Sequence, residues 1–237
     1  MIVFEALTRT FREKTAVDHL TMTVPQGAMF GFLGPNGAGK TTSLRLLMGL
    51  LQPTSGKASI DGLDVYAQSL EVRRRVGYLP DEVFLYDYLT GRQFLEFIGD
   101  IHSLEKSVRD ERISHYLHFF QLEEAADDFT VNYSFGMKKK LALASIVLHR
   151  PRVLLLDEPF NGLDPQAVRD FRELLQKMRA DGVTIVFSSH VLEVVEKLVT
   201  HVAIIARGKL QTIWSLTDII RPFDNNLEKA FFSHIGS

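Results

Sequence analysis

The sequence predicts an α/β fold with a mainly parallel sheet, an N-terminal antiparallel β part and an inserted helical subdomain. Short apolar runs with strand character alternate with helical segments in the first and last thirds of the chain. Between them, from about residue 89 to residue 148, the pattern is mostly helical and aromatic. Buried strands that alternate with helices indicate parallel pairing, because each crossover helix covers one face of the sheet.

The first third of the chain contains the expected antiparallel strands and the first parallel strand. Strand-like runs occur at 2–7 and 20–24, and the apolar run from Met29 to Leu33 leads into a glycine-rich turn. After that turn, apolar residues at helical spacing predict a helix from Thr41 that ends before Pro53. The elements expected next are a short hairpin at 57–62, a polar helix through Arg75 and a strand at 76–79.

The rest of the chain contains the inserted helices and the remaining parallel strands. Aromatic residues within 89–148 recur at helical spacing, which favours the core of a subdomain over a ligand site. Strands are expected at 153–156, 183–187, 202–205 and 209–213, with helices at 165–180 and 191–199. We therefore expect one domain, 1–237, made of a core at 1–88 and 149–220, a helical subdomain at about 89–148 and a C-terminal tail at 221–237.

Composition argues against several classes of protein. The net charge is -2 and the pI is near 6.4, so the chain lacks the broad positive field on which nonspecific nucleic-acid binding depends. There is no cysteine, which excludes a disulfide framework and thiolate metal sites. No run approaches the roughly 18–20 apolar residues that a membrane-spanning helix needs. We therefore expect no nucleic-acid partner, and membrane association only through another protein.

The segment at 34–41 matches a phosphate-binding loop. It reads Gly-Pro-Asn-Gly-Ala-Gly-Lys-Thr and lies between a predicted strand and a predicted helix, as the pattern G-x-x-x-x-G-K-[ST] requires. Glycines let main-chain N–H groups wrap around phosphates, Lys40 adds a positive charge, and the Thr41 hydroxyl is suited to Mg²⁺. The sequence thus predicts a P-loop ATPase core that binds ATP and Mg²⁺. The predicted nucleotide-binding residues here are Gly34, Pro35, Asn36, Gly37, Ala38, Gly39, Lys40, Thr41 and Thr42.

Polar residues also follow two of the later predicted strands. Asp157 and Glu158 come directly after the apolar strand at 153–156, at the edge of an open α/β sheet where ligands bind. Asp157 is suited to hold Mg²⁺ through a water, and Glu158 to polarise the attacking water. His190 follows the strand at 183–187 and is expected to reach the γ-phosphate. The predicted catalytic residues are therefore Glu158, His190 and Lys40.

Together with one more motif, these residues resemble the ATP-binding subunit of an ABC transporter. The motif is Tyr-Ser-Phe-Gly-Met at 133–137, where the family carries its LSGGQ signature. The resemblance implies that Ser134 and Gly136 cap the γ-phosphate of ATP held by an opposing subunit, in a head-to-tail dimer. A serine and N–H groups at a helix N-terminus attract anions. Phe135 replaces a glycine of the family, and a positive φ there would be costly.

Four further residues lie at positions that the family uses, with Asn161 in place of the usual serine. Asn161 and Asp164 lie in a segment that resembles the D-loop, which implies communication between the two ATP sites. His190 matches the family's switch histidine. Phe11 lies upstream of the phosphate loop, where the family usually has an adenine-stacking aromatic residue. The resemblance therefore adds Phe11, Ser134 and Gly136 to the nucleotide-binding residues, and Asn161 and Asp164 to the dimer contact.

The clearest departure from the family is at its Q-loop, where Asp81 stands in place of glutamine. A carboxylate at Asp81 is suited to ligate Mg²⁺ or hold water, and Glu82 is an alternative. The predicted metal ligands are therefore Thr41, Asp81 and Asp157. In the family the membrane partner docks near this loop, so the aromatic segment from Val83 to Leu89 is the expected contact with separate permease subunits.

The resemblance implies a transport ATPase that is driven by closure of a dimer, homomeric or heteromeric, around two ATP molecules. The Tyr-Ser-x-Gly-Met signature and the C-terminal sequence from Leu227 are more similar to subunits of bacterial exporters than of importers. Such a subunit is cytoplasmic and peripheral on the inner face of the cell membrane. The alternative is a soluble ABC ATPase that acts on nucleic acid or the ribosome. Those proteins usually carry two fused ATPase units or a long coiled-coil insertion, which this sequence lacks.

Overall fold

The computed structural model describes residues 1–189 and 192–215. Within them, six strands form the main sheet, in the order β10 (Lys209–Ser215), β9 (His201–Ala206), β3 (Met29–Leu33), β8 (Thr184–Ser189), β7 (Val153–Asp157) and β6 (Val76–Leu79). All neighbours pair in parallel except β9 and β10. The prediction of an α/β fold with a mainly parallel sheet is confirmed. His190 and the tail expected at 221–237 lie outside the described residues.

The second sheet is antiparallel and is built from the N-terminal part of the chain. Its order is β2 (Lys14–Val24), β1 (Ile2–Phe11), β4 (Ser55–Ile60) and β5 (Leu63–Asp64). β1 and β2 are longer than the sequence pattern indicates. Their pairing shifts register at several points between Phe4 and Thr10. Ala6 and His19 have positive φ angles of 47° and 49° at these irregularities. Bulges of this kind interrupt the alternation of apolar and polar residues from which strands are predicted.

The helices are α1 (Lys40–Leu47), α2 (Ser69–Arg75), α3 (Gly91–Ile101), α4 (Lys106–Phe119), α5 (Phe135–Val147), α6 (Pro165–Ala180) and α7 (Leu192–Glu196). α1 is shorter than expected, because the chain turns at Gly49, whose φ of 62° is typical of a helix C-terminus. α3, α4 and α5 make up the helical insertion between β6 and β7. No helix in the described part of the chain has the length and apolar composition needed to cross a membrane.

The main sheet separates two hydrophobic cores. Leu154 and Leu156 of β7 belong to the core that also contains the inserted helices and α6. Val153 and Leu155 of the same strand belong to the core that contains α1 and the antiparallel sheet. Because side chains alternate between the faces of a strand, a continuous apolar run is required to fill both cores.

We expect His149 to make the stability of the fold sensitive to acid. Its ring stacks on His102, with centroids 3.7 Å apart. Burial, and then the nearby His102, lower the pKa of His149 from its usual 6.5 to about 4. Between these pH values the unfolded chain is protonated at this residue and the folded chain is not. We therefore expect His149 to cost roughly 3 kcal/mol of folding stability as the pH falls from about 6.5 to about 4.

Denaturant titrations of the wild type and His149→Phe at pH 7.5 and pH 4.5 measure this loss. Phenylalanine keeps an aromatic ring but has no proton to take up, so the variant should lose less stability between the two pH values. Equal losses in both proteins would contradict the assignment.

Candidate functional site

The glycine loop, residues 34–41, connects β3 to α1 and is packed tightly against neighbouring main chain. Gly37 and Gly39 have φ angles of 77° and 107°, a region that favours glycine. A Cβ atom at Gly39 would lie 2.4 Å from the carbonyl oxygen of Ala16. A Cβ atom at Gly34 would lie 2.1 Å from the carbonyl oxygen of Ile205. A side chain is therefore excluded at Gly34 and Gly39, where the loop presents only main-chain groups.

Lys40 is the first residue of α1, and its side chain is held by the glycine loop. Its ammonium donates hydrogen bonds to the carbonyl oxygens of Gly34, at 2.7 Å, and Pro35, at 3.2 Å. Burial lowers the pKa of Lys40, while the nearby carboxylates of Glu158 and Asp157 act in the opposite direction. A buried ammonium beside a glycine loop and a helix N-terminus forms a strong site for an anion.

Asp157, at the carboxyl end of β7, connects two neighbouring elements to the glycine loop. Its Oδ1 accepts hydrogen bonds from the hydroxyls of Thr41, at 3.1 Å, and Ser188, at 2.5 Å. Its Oδ2 is buried and has no hydrogen-bond partner among the described residues. Asp157 itself is 1% exposed. The carboxylate thus has one oxygen held by hydroxyls and one available to a ligand.

The oxygen atoms of Thr41 and Asp157 fit Mg²⁺. Mg²⁺ prefers hard oxygen ligands and usually takes one or two from the protein, with water and substrate phosphates as the others. Within the described residues no cluster of three or more His, Cys, Asp or Glu side chains could hold a metal ion. Thr41 and Asp157 would thus supply two oxygen ligands, with water and substrate phosphates as the others.

Glu158 follows Asp157 and has a main chain in an unusual conformation. Its φ is 46°, in the left-handed region that few non-glycine residues adopt. Its N–H donates to the Ser188 hydroxyl at 3.1 Å. Its carbonyl oxygen accepts from the N–H of Asn161, at 3.3 Å, and from the ammonium of Lys139, at 3.2 Å. Three neighbours therefore hold a strained position next to the glycine loop, which is typical of functional sites.

The motif at 133–137 forms the N-terminus of α5. The Ser134 hydroxyl accepts a hydrogen bond from the N–H of Met137 at 3.2 Å, so Ser134 caps the helix. Phe135 is the first helical residue and does not have a positive φ. The presence of phenylalanine where the family has glycine therefore brings no backbone strain. The Phe135 ring lies over Gly162, where a Cβ atom would be 2.0 Å from it. The motif therefore contacts the segment at 161–164 within one chain.

Asp164 uses both carboxylate oxygens within the chain. One accepts from the N–H of Ala167 at 2.8 Å and caps α6. The other forms an ion pair with Lys140 at 3.0 Å. The N–H of Ala167, and then Lys140, hold the pKa of Asp164 below its usual value. The roles of Asn161 and Asp164 in a dimer stay predictions.

Asp81, Glu82 and Phe11 are the remaining candidates for the site. Asp81 and Glu82 are exposed in the loop after β6, and the choice between them stays open. Phe11, at the end of β1, is 40% exposed, and the guanidinium of Arg9 lies 4.5 Å from its ring centroid. The β1–β2 hairpin that carries Phe11 reaches the glycine loop through Ala16. The contact of Phe11 with adenine stays a prediction.

Two residues of the site are missing from the sequence-based prediction. Ser188 bonds to Asp157 and Glu158, and the available signal was its place at the end of the neighbouring apolar strand. Lys139 bonds to the main chain of Glu158 and Asp81. It lies within a run of three lysines, and nothing in that run distinguishes it.

A glycine loop after β3 and a carboxylate pair after β7 define a P-loop ATPase. The family model described as ABC transporter matches residues 17–161, and the chain belongs to this family as an ATP-binding ATPase domain. The chain is 40% identical over 205 residues to the bacitracin transport ATP-binding protein BcrA of Bacillus licheniformis. That match covers 86% of this chain and 66% of BcrA, so the chain spans just under two thirds of that relative's length.

Solved structures show the same fold. An ATP-binding subunit of an ABC transporter superposes with a TM-score of 0.92 and 28% identity over 98% of each chain. The dimeric cassette MJ0796, in a post-hydrolysis state with ADP and phosphate, gives a TM-score of 0.84 and 22% identity over 91% of this chain and 98% of that chain. At that identity the second likeness shows the fold alone.

Proposed function

We propose that this chain binds ATP with Mg²⁺ and hydrolyses it to energise a membrane transporter, as one of two ATP-binding subunits in a closed dimer. One observation carries the proposal. The hydroxyl of Thr41, at the end of the glycine loop, lies 3.1 Å from the carboxylate of Asp157, at the end of β7. Phosphate-binding and metal-binding groups thereby meet beside Glu158.

Each residue of the site has a separate task in this reaction. Main-chain N–H groups of the glycine loop and the Lys40 ammonium bind and orient the β- and γ-phosphates. Thr41 and Asp157 would hold Mg²⁺, which would neutralise charge on the phosphate oxygens. Glu158 orients the attacking water and accepts its proton. Phosphoryl transfer needs mainly positioning and charge neutralisation, and these residues supply both.

The second subunit supplies the remaining contacts to the γ-phosphate. Ser134 is exposed at the N-terminus of α5, where its hydroxyl and the helix N–H groups can approach an anion on another molecule. Gly136 is next to it, and a Cβ atom there would lie 3.3 Å from the carbonyl oxygen of Gly162. Two such subunits, identical or different, would enclose two ATP molecules head to tail.

The segment from Val83 to Leu89 is the proposed contact with the permease. Phe84 is 82% exposed and Tyr88 is 86% exposed. Val83, Leu85 and Leu89 instead pack against the core and fix the segment in place. Exposed aromatic side chains on a fixed segment are typical of a protein interface. The chain would then be cytoplasmic and would reach the inner face of the cell membrane through this partner.

The sequence pattern around Ser134 favours export as the direction of transport. BcrA, to which the chain is similar, is named for bacitracin transport. We therefore propose an exporter, whose substrate is determined by the permease.

The permease contact is tested with a multi-span membrane protein, which we expect in the reading frames next to the one for this chain. Supplying it in lipid vesicles should raise the rate of ATP hydrolysis. Replacing both Phe84 and Tyr88 with serine should weaken binding to the permease by at least about tenfold, because interface aromatics contribute most of the binding energy. Hydrolysis by the isolated subunit should stay unchanged.

Leu70→Ser is the control, because Leu70 is an exposed apolar residue, 70% exposed on α2, that is not part of the segment from Val83 to Leu89. It should leave stimulation by the permease intact. Full stimulation of the doubly substituted protein would place the contact elsewhere. A subunit that hydrolyses ATP and is indifferent to every neighbouring membrane protein would contradict the transport role.

A further inference from the structure

Lys139 lies inside α5 and joins three parts of the chain. It is 1% exposed, whereas the adjacent Lys138 is partly exposed. Its ammonium donates to the carbonyl oxygen of Glu158, at 3.2 Å, and more weakly to that of Asp81, at 3.5 Å. Burial lowers the pKa of Lys139, while the nearby carboxylates of Asp81, Asp157 and Glu158 act in the opposite direction. One side chain therefore connects α5, the loop after β6 and the carboxylate pair.

Burying the Lys139 ammonium inside α5 is energetically unfavourable. Of the buried α5 residues, all in the described part of the chain, Lys139 alone is charged; the others are Leu141, Ala142, Leu143, Ala144, Ser145, Ile146 and Val147. An apolar side chain of similar length would pack there without the cost of removing a charge from water. The energetic cost of burying this charge therefore indicates that Lys139 has a role in the site beyond packing.

Lys139 stabilises the strained main chain of Glu158 through a hydrogen bond to its carbonyl oxygen. The main chain of Glu158, with a φ of 46°, donates a hydrogen bond to Ser188 and accepts hydrogen bonds from Asn161 and Lys139, which help to hold this strained position. Lys139 donates the charge-assisted bond of the three, and such bonds are roughly twice as strong as neutral ones. Loss of this bond would let the Glu158 side chain move relative to the phosphate site.

We propose that Lys139 is a positioning residue for ATP hydrolysis: it fixes Glu158 for the attacking water and offsets the negative charge at the metal site. Its contact with Asp81 also links Glu158 to the loop that leads into the segment from Val83 to Leu89. Movement of that segment by a partner would reach Glu158 through Lys139. The inference rests on the proposed function, since it assigns a role within the same reaction.

Lys139→Met tests the proposal, because methionine has a similar length and no charge or donor. We expect kcat to fall by about 10- to 100-fold, since small displacements of catalytic groups have effects of this size. The affinity for a fluorescent ATP analogue should stay within twofold, because the glycine loop is untouched. Affinity for Mn²⁺, measured by electron paramagnetic resonance with a nonhydrolysable ATP analogue, should rise, because a positive charge near Asp157 is removed.

Two further variants separate charge from hydrogen bonding and from general effects. Lys139→Gln retains a donor without the charge, so kcat should recover in part while the Mn²⁺ affinity stays raised. Lys138→Met removes the same charge from the same helix and should change neither quantity. The thermal unfolding temperature of each variant, compared with that of the wild type, tests whether the variant is folded.

Three outcomes would overturn the proposal. The first is a kcat for Lys139→Met within twofold of the wild type while Glu158→Gln is inactive, which leaves the proposed function intact. The second is a parallel loss of nucleotide affinity and thermal stability, which would make Lys139 merely structural. The third is an unchanged or weaker Mn²⁺ affinity. A wild type that does not hydrolyse ATP would instead refute the proposed function.

Discussion

Glu158→Gln is expected to retain ATP binding and to reduce steady-state hydrolysis by roughly 10²- to 10⁴-fold, the usual contribution of a general base. Glutamine has nearly the same shape but cannot accept the proton of the attacking water. The hydrogen bonds that residue 158 makes with Ser188, Asn161 and Lys139 involve its main chain and not its carboxylate, so they survive the substitution. The geometry of the site should therefore be preserved while its chemistry is lost.

Phosphate release measures the turnover of this variant, and equilibrium binding of a fluorescent ATP analogue measures its affinity. Glu173→Gln on α6 is a suitable control, because Glu173 is exposed and outside the site. If two subunits close on ATP, the inactive variant should also accumulate as an ATP-bound dimer in size-exclusion chromatography. Near-normal hydrolysis would remove Glu158 from its role.

Lys40→Met is expected to weaken ATP binding by roughly 10²-fold, the effect of losing one or two charge-assisted hydrogen bonds to phosphate. In the structure the Lys40 ammonium is held by the carbonyl oxygens of Gly34 and Pro35, so it lies at the mouth of the loop before any nucleotide arrives. Methionine keeps the apolar stem that packs there. The effect should therefore appear in nucleotide affinity more than in the fold.

Isothermal titration calorimetry with ATP and Mg²⁺ measures that affinity. Lys57→Met is the matched control, because Lys57 is exposed and pairs only with Glu5 among the described residues. It should bind ATP as the wild type does. An unchanged affinity in Lys40→Met would contradict the assignment of the glycine loop.

Some elements were predictable because local chemistry alone determines them. α6 begins and ends where the sequence indicates: Asp164 caps its N-terminus, Pro165 is its first residue, and Gly182, with a φ of 89°, follows its end. The strand, glycine loop and helix around 34–41 are likewise encoded within a few residues. Here a sequence pattern and its structural context coincide.

Other features depend on packing between distant parts of the chain. The bond between Ser188 and Asp157 requires that β8 lie next to β7 in one particular register, which no local pattern specifies. Lys139 is buried because α5 is covered on nearly every side, while the neighbouring lysines at 138 and 140 are only partly buried. Residue type and spacing therefore identified the phosphate loop but not the lysine behind Glu158.

The strand order of the main sheet also determines when this site can form during synthesis. β8 lies between β3 and β7, and Met29 of β3 pairs with Ile185 of β8. β3 and β7 therefore reach their places in the sheet, and Thr41 reaches Asp157, only after β8 has been made. At roughly 5–20 residues per second, a ribosome completes β8 roughly 8–30 s after β3. During that interval the nascent chain carries an apolar strand with an unpaired edge, the kind of surface that molecular chaperones protect.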